Sequence, residues 1–113
     1  MGKIRKSSLH VYPLPKAPFI DFWQNLPNNC ELRAIIDEAL EALREDMCAG
    51  TPVEKRKIPK AYNQFGLSNL YKMNLRKNYR LIYTLIARDE GVCPHVIEVL
   101  SHPEYLRRFG YKK

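Results

Sequence analysis

The sequence predicts an α+β domain, on three observations. Apolar residues recur at helical spacing from residue 19 to residue 47, strand-like alternation takes over from residue 69, and no alternating strand-helix-strand pattern joins the two. The order reads strand, helix, helix, then three consecutive strands. Helices gathered before a meander are expected to cover one sheet face and leave the other open to a partner.

Each element has its own signal. LHVYPLP (residues 9–15) reads as a short strand, and Pro13 and Pro15, which cannot donate to a sheet ladder, make it an edge. Pro18 suits a first helical turn, and Phe19, Phe22, Trp23 and Leu26 follow at i, i+3, i+4 and i+7, with the helix ending near Pro27. Asn28 or Asn29 then offers an N-cap to a second helix, whose stripe runs from Leu32 through Ile36, Ala39 and Leu43 to Met47 before Gly50 and Pro52 close it. Its other face, with Glu31, Arg33, Glu38 and Glu41, reads as a solvated acidic surface.

The period changes after the second helix. Residues 51–67 read as a polar linker with a basic run Lys55-Arg56-Lys57 and Lys60. In NLYKMNLR (residues 69–76), Tyr71, Met73 and Leu75 point one way and Lys72, Asn74 and Arg76 the other. Residues 79–86 are apolar on both faces, as in a central strand, with Arg80 the one charge. Lys77-Asn78 joins these strands, and Asn78 can take the left-handed conformation. A three-residue loop would place Lys72, Asn74 and Arg76 on the face of Arg80, Ile82 and Thr84; an even loop would not. After the turn-like RDEGVCP, residues 95–101 form a third strand, with Ile97 and Val99 on one face and Val96, Glu98 and Leu100 on the other.

At 113 residues, 45% hydrophobic and 27% charged, the chain is expected to be a single domain spanning residues 1–113. Apolar runs such as LIYTLIA fall well short of the roughly 18 residues a membrane span needs. MGKIRKSSLHVYPLP has no signal-peptide core, so a soluble cytoplasmic protein is expected. Cys30, Cys48 and Cys93, an odd number at long spacings, indicate neither a disulfide framework nor a zinc site. The formal charge of +7 is uneven: residues 29–54 carry two basic and seven acidic side chains, residues 55–113 thirteen basic and four acidic. A basic C-terminal half favours a polyanionic partner, most often nucleic acid.

No dinucleotide, P-loop, zinc-protease or nucleophilic-serine motif is present. The remaining Lys, Arg, His and Tyr suit cleavage of RNA by its own 2′-hydroxyl, with no metal and no cofactor. That reaction needs a base for the hydroxyl, positive charge for the developing phosphorane and an acid for the leaving 5′-oxygen. Arg80 and Lys72 supply charge; His102 and Tyr105, just past the last strand, supply proton transfer. In a plainer reading, Arg80 only pairs with Glu98 and His102-Pro103 only caps the last helix or turn. The residues by themselves leave open RNA cleavage, nucleic-acid binding without catalysis, and a protein-interaction role.

The strings IPKAYNQFGLSNLYKMNLRKNYRLIYTL and VIEVLSHPEYLRRFGYK, from Ile58 to Lys112, resemble the RelE/ParE superfamily of type II toxins, especially its RelE-like branch. The resemblance implies a microbial-ribonuclease-like fold: an N-terminal strand and two helices packed on a small antiparallel sheet formed with the C-terminal meander. It also implies a cognate antitoxin as partner and an endoribonuclease that cuts mRNA in the ribosomal A site. By position, Arg80 matches the strand arginine at the scissile phosphate and Tyr105 the near-C-terminal tyrosine used for proton transfer or base stacking. His102 lies near a C-terminal histidine of some relatives, and Lys72 falls on the strand carrying basic catalytic residues. Lys60, Arg107 and Arg108 are expected to grip RNA phosphates, with Arg76, Lys77 and Lys112 in the same set, and Tyr111 is a second stacking candidate. The chain runs eight residues past Tyr105, LRRFGYKK; Phe109 and Tyr111 would position Tyr105 if they pack back. The ParE branch, which inhibits DNA gyrase on the same fold, is the alternative, and a non-catalytic relative that binds antitoxin or RNA is the third.

Overall fold

A computed structural model of the protein describes residues 10–110. Its strands are β1 (Tyr12–Pro13), β2 (Thr51–Pro52), β3 (Tyr71–Asn74), β4 (Arg80–Arg88) and β5 (Gly91–Leu100). Its α-helices are α1 (Pro18–Gln24), α2 (Glu31–Glu45) and α3 (His102–Phe109). The strands form one five-stranded sheet in the order β1-β5-β4-β3-β2. β4, apolar on both faces in the sequence, is the central strand and buries Leu81, Ile82, Tyr83 and Thr84. The sheet is mixed rather than wholly antiparallel: β1 runs parallel to β5, while the other pairs are antiparallel. Strands far apart in sequence, unlike hairpin neighbours, are free to pair in either direction. Both edge strands are two residues long and carry a proline, Pro13 or Pro52, which blunts them against further pairing.

The β3–β4 hairpin follows the expected parity. The Leu75 N–H donates to the Tyr79 carbonyl at 2.8 Å, closing a three-residue loop in which Lys77 (φ 61°) and Asn78 (φ 64°) are both left-handed. Lys72 therefore faces Ile82, and Asn74 faces Arg80.

On one face of the sheet, α1 and α2 pack Phe19, Ile36, Ala39 and Leu43 against Leu81, Tyr83 and Val96. α2 begins at Cys30 as N-cap rather than Asn28 or Asn29 and stops at Glu45. Met47 thus leaves the helical stripe, and its carbonyl accepts the Tyr83 hydroxyl at 2.9 Å. The same hydroxyl accepts the Gly50 N–H at 3.0 Å, and burial pushes the Tyr83 phenol up to about 12. A Cβ on Gly50 would lie 2.7 Å from the Lys72 carbonyl and 2.9 Å from the Tyr83 ring, so only glycine fits there. Arg33, read as part of the solvated face, instead lies over the Trp23 ring at 4.0 Å and donates to the Leu26 carbonyl at 2.7 Å, tying α1 to α2.

The opposite face, expected to stay open, is covered. Residues 51–67 are not a plain linker: they supply β2 and two 3-10 helices, Lys55–Lys57 and Lys60–Phe65. With α3 they bury Tyr62, Leu70, Ile82, Ile97, Leu100 and Tyr105, with Val53, Ile58, Phe65 and Phe109 packed around them. Their apolar residues occur singly among cations, with no helical or alternating period to reveal a covering segment. β5 begins at Gly91, earlier than the expected residue 95, because Asp89 and Glu90 alone make the turn. It also carries a bulge: Ile82 pairs with Glu98 but Tyr83 with Val96, leaving Ile97 as the inserted residue. The bulge reverses the expected faces, so that Val96 and Val99 join the α1–α2 core and Ile97 and Leu100 the other.

Candidate functional site

The stretch SHPE is first of all a helix entry. The Ser101 hydroxyl accepts the Glu104 N–H at 3.3 Å and the Glu104 carboxylate accepts the Ser101 N–H at 2.8 Å, a reciprocal capping box with proline in the first turn. Gly110, left-handed at φ 75°, ends the helix. This cap fixes α3 to the end of β5 and swings Tyr105, one turn in, beneath the sheet. The cap is made by Ser101 and Glu104 rather than by His102-Pro103, and His102 is exposed at the first position of α3.

Tyr105 is 4% exposed. The Arg80 guanidinium carbon lies 5.2 Å from its ring centroid, the Lys72 ammonium 5.5 Å and the Phe109 ring 4.7 Å. The hairpin parity causes this, because Lys72 and Arg80 are diagonal neighbours on one sheet face, within reach of a common partner. The aromatic face attracts both cations. A ring so enclosed has no open face for a nucleobase, which removes stacking from the roles expected of Tyr105. Arg80 donates from one terminal nitrogen to the Tyr79 carbonyl at 3.3 Å, while its Nε is buried without a hydrogen-bond partner. A cleft of about 170 Å³ opens beside the ring, lined by Pro52, Val53, Glu54, Lys57, Lys72, Tyr105 and Phe109.

The expected phosphate-gripping residues divide. Arg76 donates from two nitrogens to the Glu38 carboxylate, both at 2.9 Å, and Lys77 lies 3.4 Å from Glu31. Both are thus committed to α2, and Arg76 does not share the face of Arg80 as expected, because the left-handed loop turns the chain toward the helix. Arg76 also holds the Glu38 carboxyl below its ordinary range. Arg108, not Arg80, is the partner of Glu98, at 2.8 Å. The buried Glu98 also accepts the Tyr62 hydroxyl at 2.5 Å, and burial, followed by this carboxylate, drives the Tyr62 phenol far above its usual value. Arg108 therefore anchors α3 and has little freedom to grip a phosphate. Lys60 and Arg107 are exposed. Tyr111 and Lys112 lie outside the described residues. Phe109 packs on Tyr105 and, at 6.1 Å, on Tyr62, as a residue positioning Tyr105 should.

A second polar cluster sits at the other end of β4. Arg88 lies 3.9 Å from the Tyr12 ring centroid, Tyr12 hydrogen-bonds Glu90, and His95 stacks on Tyr12 at 5.2 Å. His95 Nε2 lies 3.3 Å from the Arg88 guanidinium, and Nδ1 lies 3.0 Å from the Cys93 carbonyl. A guanidinium only donates, so Nδ1 carries the proton and the ring is neutral. Burial lowers its pKa, in keeping with that neutral form.

Among the described residues, no helix is long and apolar enough to cross a membrane, and no group of three or more His, Cys, Asp and Glu is placed to hold a metal ion. Comparison with protein-family models, with curated proteins and with solved structures gave no match.

Proposed function

We propose that this protein is the RelE-like toxin of a type II toxin–antitoxin pair, a cytoplasmic endoribonuclease that cuts mRNA in the ribosomal A site and so stops translation. The observation that carries the reading is the pair of cations over Tyr105: Lys72 and Arg80 flank one tyrosine and enter none of the ion pairs among the described residues. Phe109 and the Ser101–Glu104 cap hold Tyr105 in place.

In this mechanism the RNA 2′-hydroxyl attacks the adjacent phosphorus and the 5′-oxygen leaves, giving a 2′,3′-cyclic phosphate and a 5′-hydroxyl. Arg80 and Lys72 stabilise the charge that gathers on the phosphorane, each contributing on the order of 10² to 10³ in rate. Tyr105 moves a proton at the cleft, and His102, exposed at the start of α3, is the second candidate for proton transfer. No step calls for a metal or an organic cofactor. The cognate antitoxin restrains the enzyme until it is removed.

One observation favours a different reading. Tyr105 at 4% exposure is as enclosed as a structural aromatic, which suits a non-catalytic relative that binds RNA or antitoxin only. Inducible expression with primer extension on a cellular mRNA separates the readings. Growth arrest with codon-phased cuts is the expected result. Arrest with DNA damage and intact mRNA would point to gyrase as target, and absence of arrest to the non-catalytic relative.

A further inference from the structure

The cations of the described chain fall into two groups. Arg44, Arg56, Arg76, Lys77, Arg88 and Arg108 each have a carboxylate within ion-pair distance. The others have none among the described residues: Lys16, Arg33, Lys55, Lys57, Lys60, Lys72, Arg80 and Arg107, of which only Lys57 and Lys72 line the cleft beside Tyr105. Glu54 lines it too, and would neutralise the lysines if it paired with them. Its carboxylate is instead held by Arg56 at 3.1 Å. The cleft therefore keeps two unneutralised ammonium groups against walls made by Pro52, Val53 and Phe109.

The backbone of Lys57 is also firmly placed, while its side chain is exposed. It ends the 3-10 helix Lys55–Lys57, its N–H donates to the Glu54 carbonyl at 2.8 Å, and the next residue, Ile58, packs on the core under the sheet. A lysine is a point charge with freely rotating donors, suited to a phosphate approached from several directions.

We infer that Lys57, in the cleft that Lys72 also lines, forms a subsite for one backbone phosphodiester of a single-stranded nucleic acid, adjoining the scissile phosphate held at Arg80 and Lys72. The subsite rests on the reading of the Tyr105 site as one that cuts RNA, and it extends the path of the bound strand toward β2. A cleft of about 170 Å³ admits one phosphate and its flanking sugar, not a duplex. Glu54 is a neighbour of opposite sign: neutralising it strengthens the subsite.

The test is equilibrium binding of a labelled 2′-O-methyl hexanucleotide, which lacks the attacking hydroxyl, to the whole chain over a range of salt. Lys57→Gln should weaken binding about three- to fivefold and flatten the plot of log K against log salt by about 0.7, the value for one lost contact to a single strand. Glu54→Gln should tighten binding about twofold. Arg44→Gln, the same charge change on the α2 surface, should leave the slope in place. An unchanged slope in Lys57→Gln, a slope lost equally in Arg44→Gln, or no binding by the wild-type chain overturns the subsite. Cleavage of mRNA on programmed ribosomes, measured in parallel, separates the two readings. A Lys57-dependent slope without cleavage leaves the subsite standing and removes the nuclease, whereas cleavage with an unchanged slope does the reverse.

Discussion

Arg76 and Arg80 stand four residues apart, at the two ends of one hairpin loop, and meet opposite fates. Arg76 turns to the helix face and places two of its five N–H donors on Glu38. Arg80 turns to the other face, where it meets a tyrosine ring and no carboxylate, and keeps one buried N–H without a partner. The helix face of the sheet satisfies its charges as a stable protein should. The face under α3 pairs Glu98 with Arg108 but leaves Arg80 and Lys72 without a carboxylate, and an unpaired buried donor costs about 1–3 kcal/mol. A fold retains such a cost where the group has work to do on something outside the protein.

The largest expected contrast is between these two arginines. Arg80→Leu should lower RNA cleavage by about 10² to 10³ while raising the unfolding free energy by about 1 kcal/mol, because the orphaned donor is gone. Arg76→Leu should leave cleavage within about twofold, its exposed pair with Glu38 being worth little. Loss of stability in Arg80→Leu would show that the guanidinium is a structural group.

Arg108→Ala sharpens the comparison at the level of stability. It strips the buried Glu98 of its cation and should cost about 3 kcal/mol in urea unfolding; Leu43→Ala on the helix face should cost a similar amount, about 3 kcal/mol, through the cavity it leaves. Only Arg108→Ala should also reduce cleavage in the fully folded protein, since α3 carries Tyr105. Equal loss of activity in both would mean that the two faces are not independent.

The smallest expected effect separates the two ends of β4. His95 is held neutral, its folded pKa below the ordinary value of about 6.5. Its contribution to stability is therefore complete above about pH 6.5 and is lost as pH falls through the lower folded value, because the unfolded chain takes up the proton first. Glu38 and Glu90, also held below their usual range, act in a more acidic window. Urea midpoints should be flat from about pH 8 to 7 and decline below about 6.5, and His95→Gln should remove that decline. A decline that persists in the variant assigns it to other groups.

What the sequence revealed follows the same division. The helix face was legible because a stripe such as Ile35, Ile36, Ala39 and Leu43 repeats at helical period, and β4 because it is apolar without interruption. The shared face of Lys72 and Arg80 is legible up to the parity of the loop, which the backbone settles at three residues. The covering of the second face was not, because Val53, Ile58, Tyr62 and Phe65 lie singly among lysines and asparagines and bury themselves without a repeating pattern. The bulge at Ile97 leaves no mark in the sequence, yet it reverses the faces on either side of it. In the sequence Lys57 is one member of a charge run, and only the fold shows which lysine of three lines the cleft. In SHPEY the polar residues suggest chemistry, yet its serine and glutamate form a helix cap that presents Tyr105.

The most direct measurement is the chemistry of the RNA ends left when the purified chain acts on ribosomes programmed with an mRNA. Attack by the 2′-hydroxyl, assisted by Arg80, Lys72 and Tyr105, predicts 2′,3′-cyclic phosphates opposite 5′-hydroxyls, absent with Arg80→Leu. Intact mRNA, or ends bearing 3′-hydroxyls and 5′-phosphates, would contradict it.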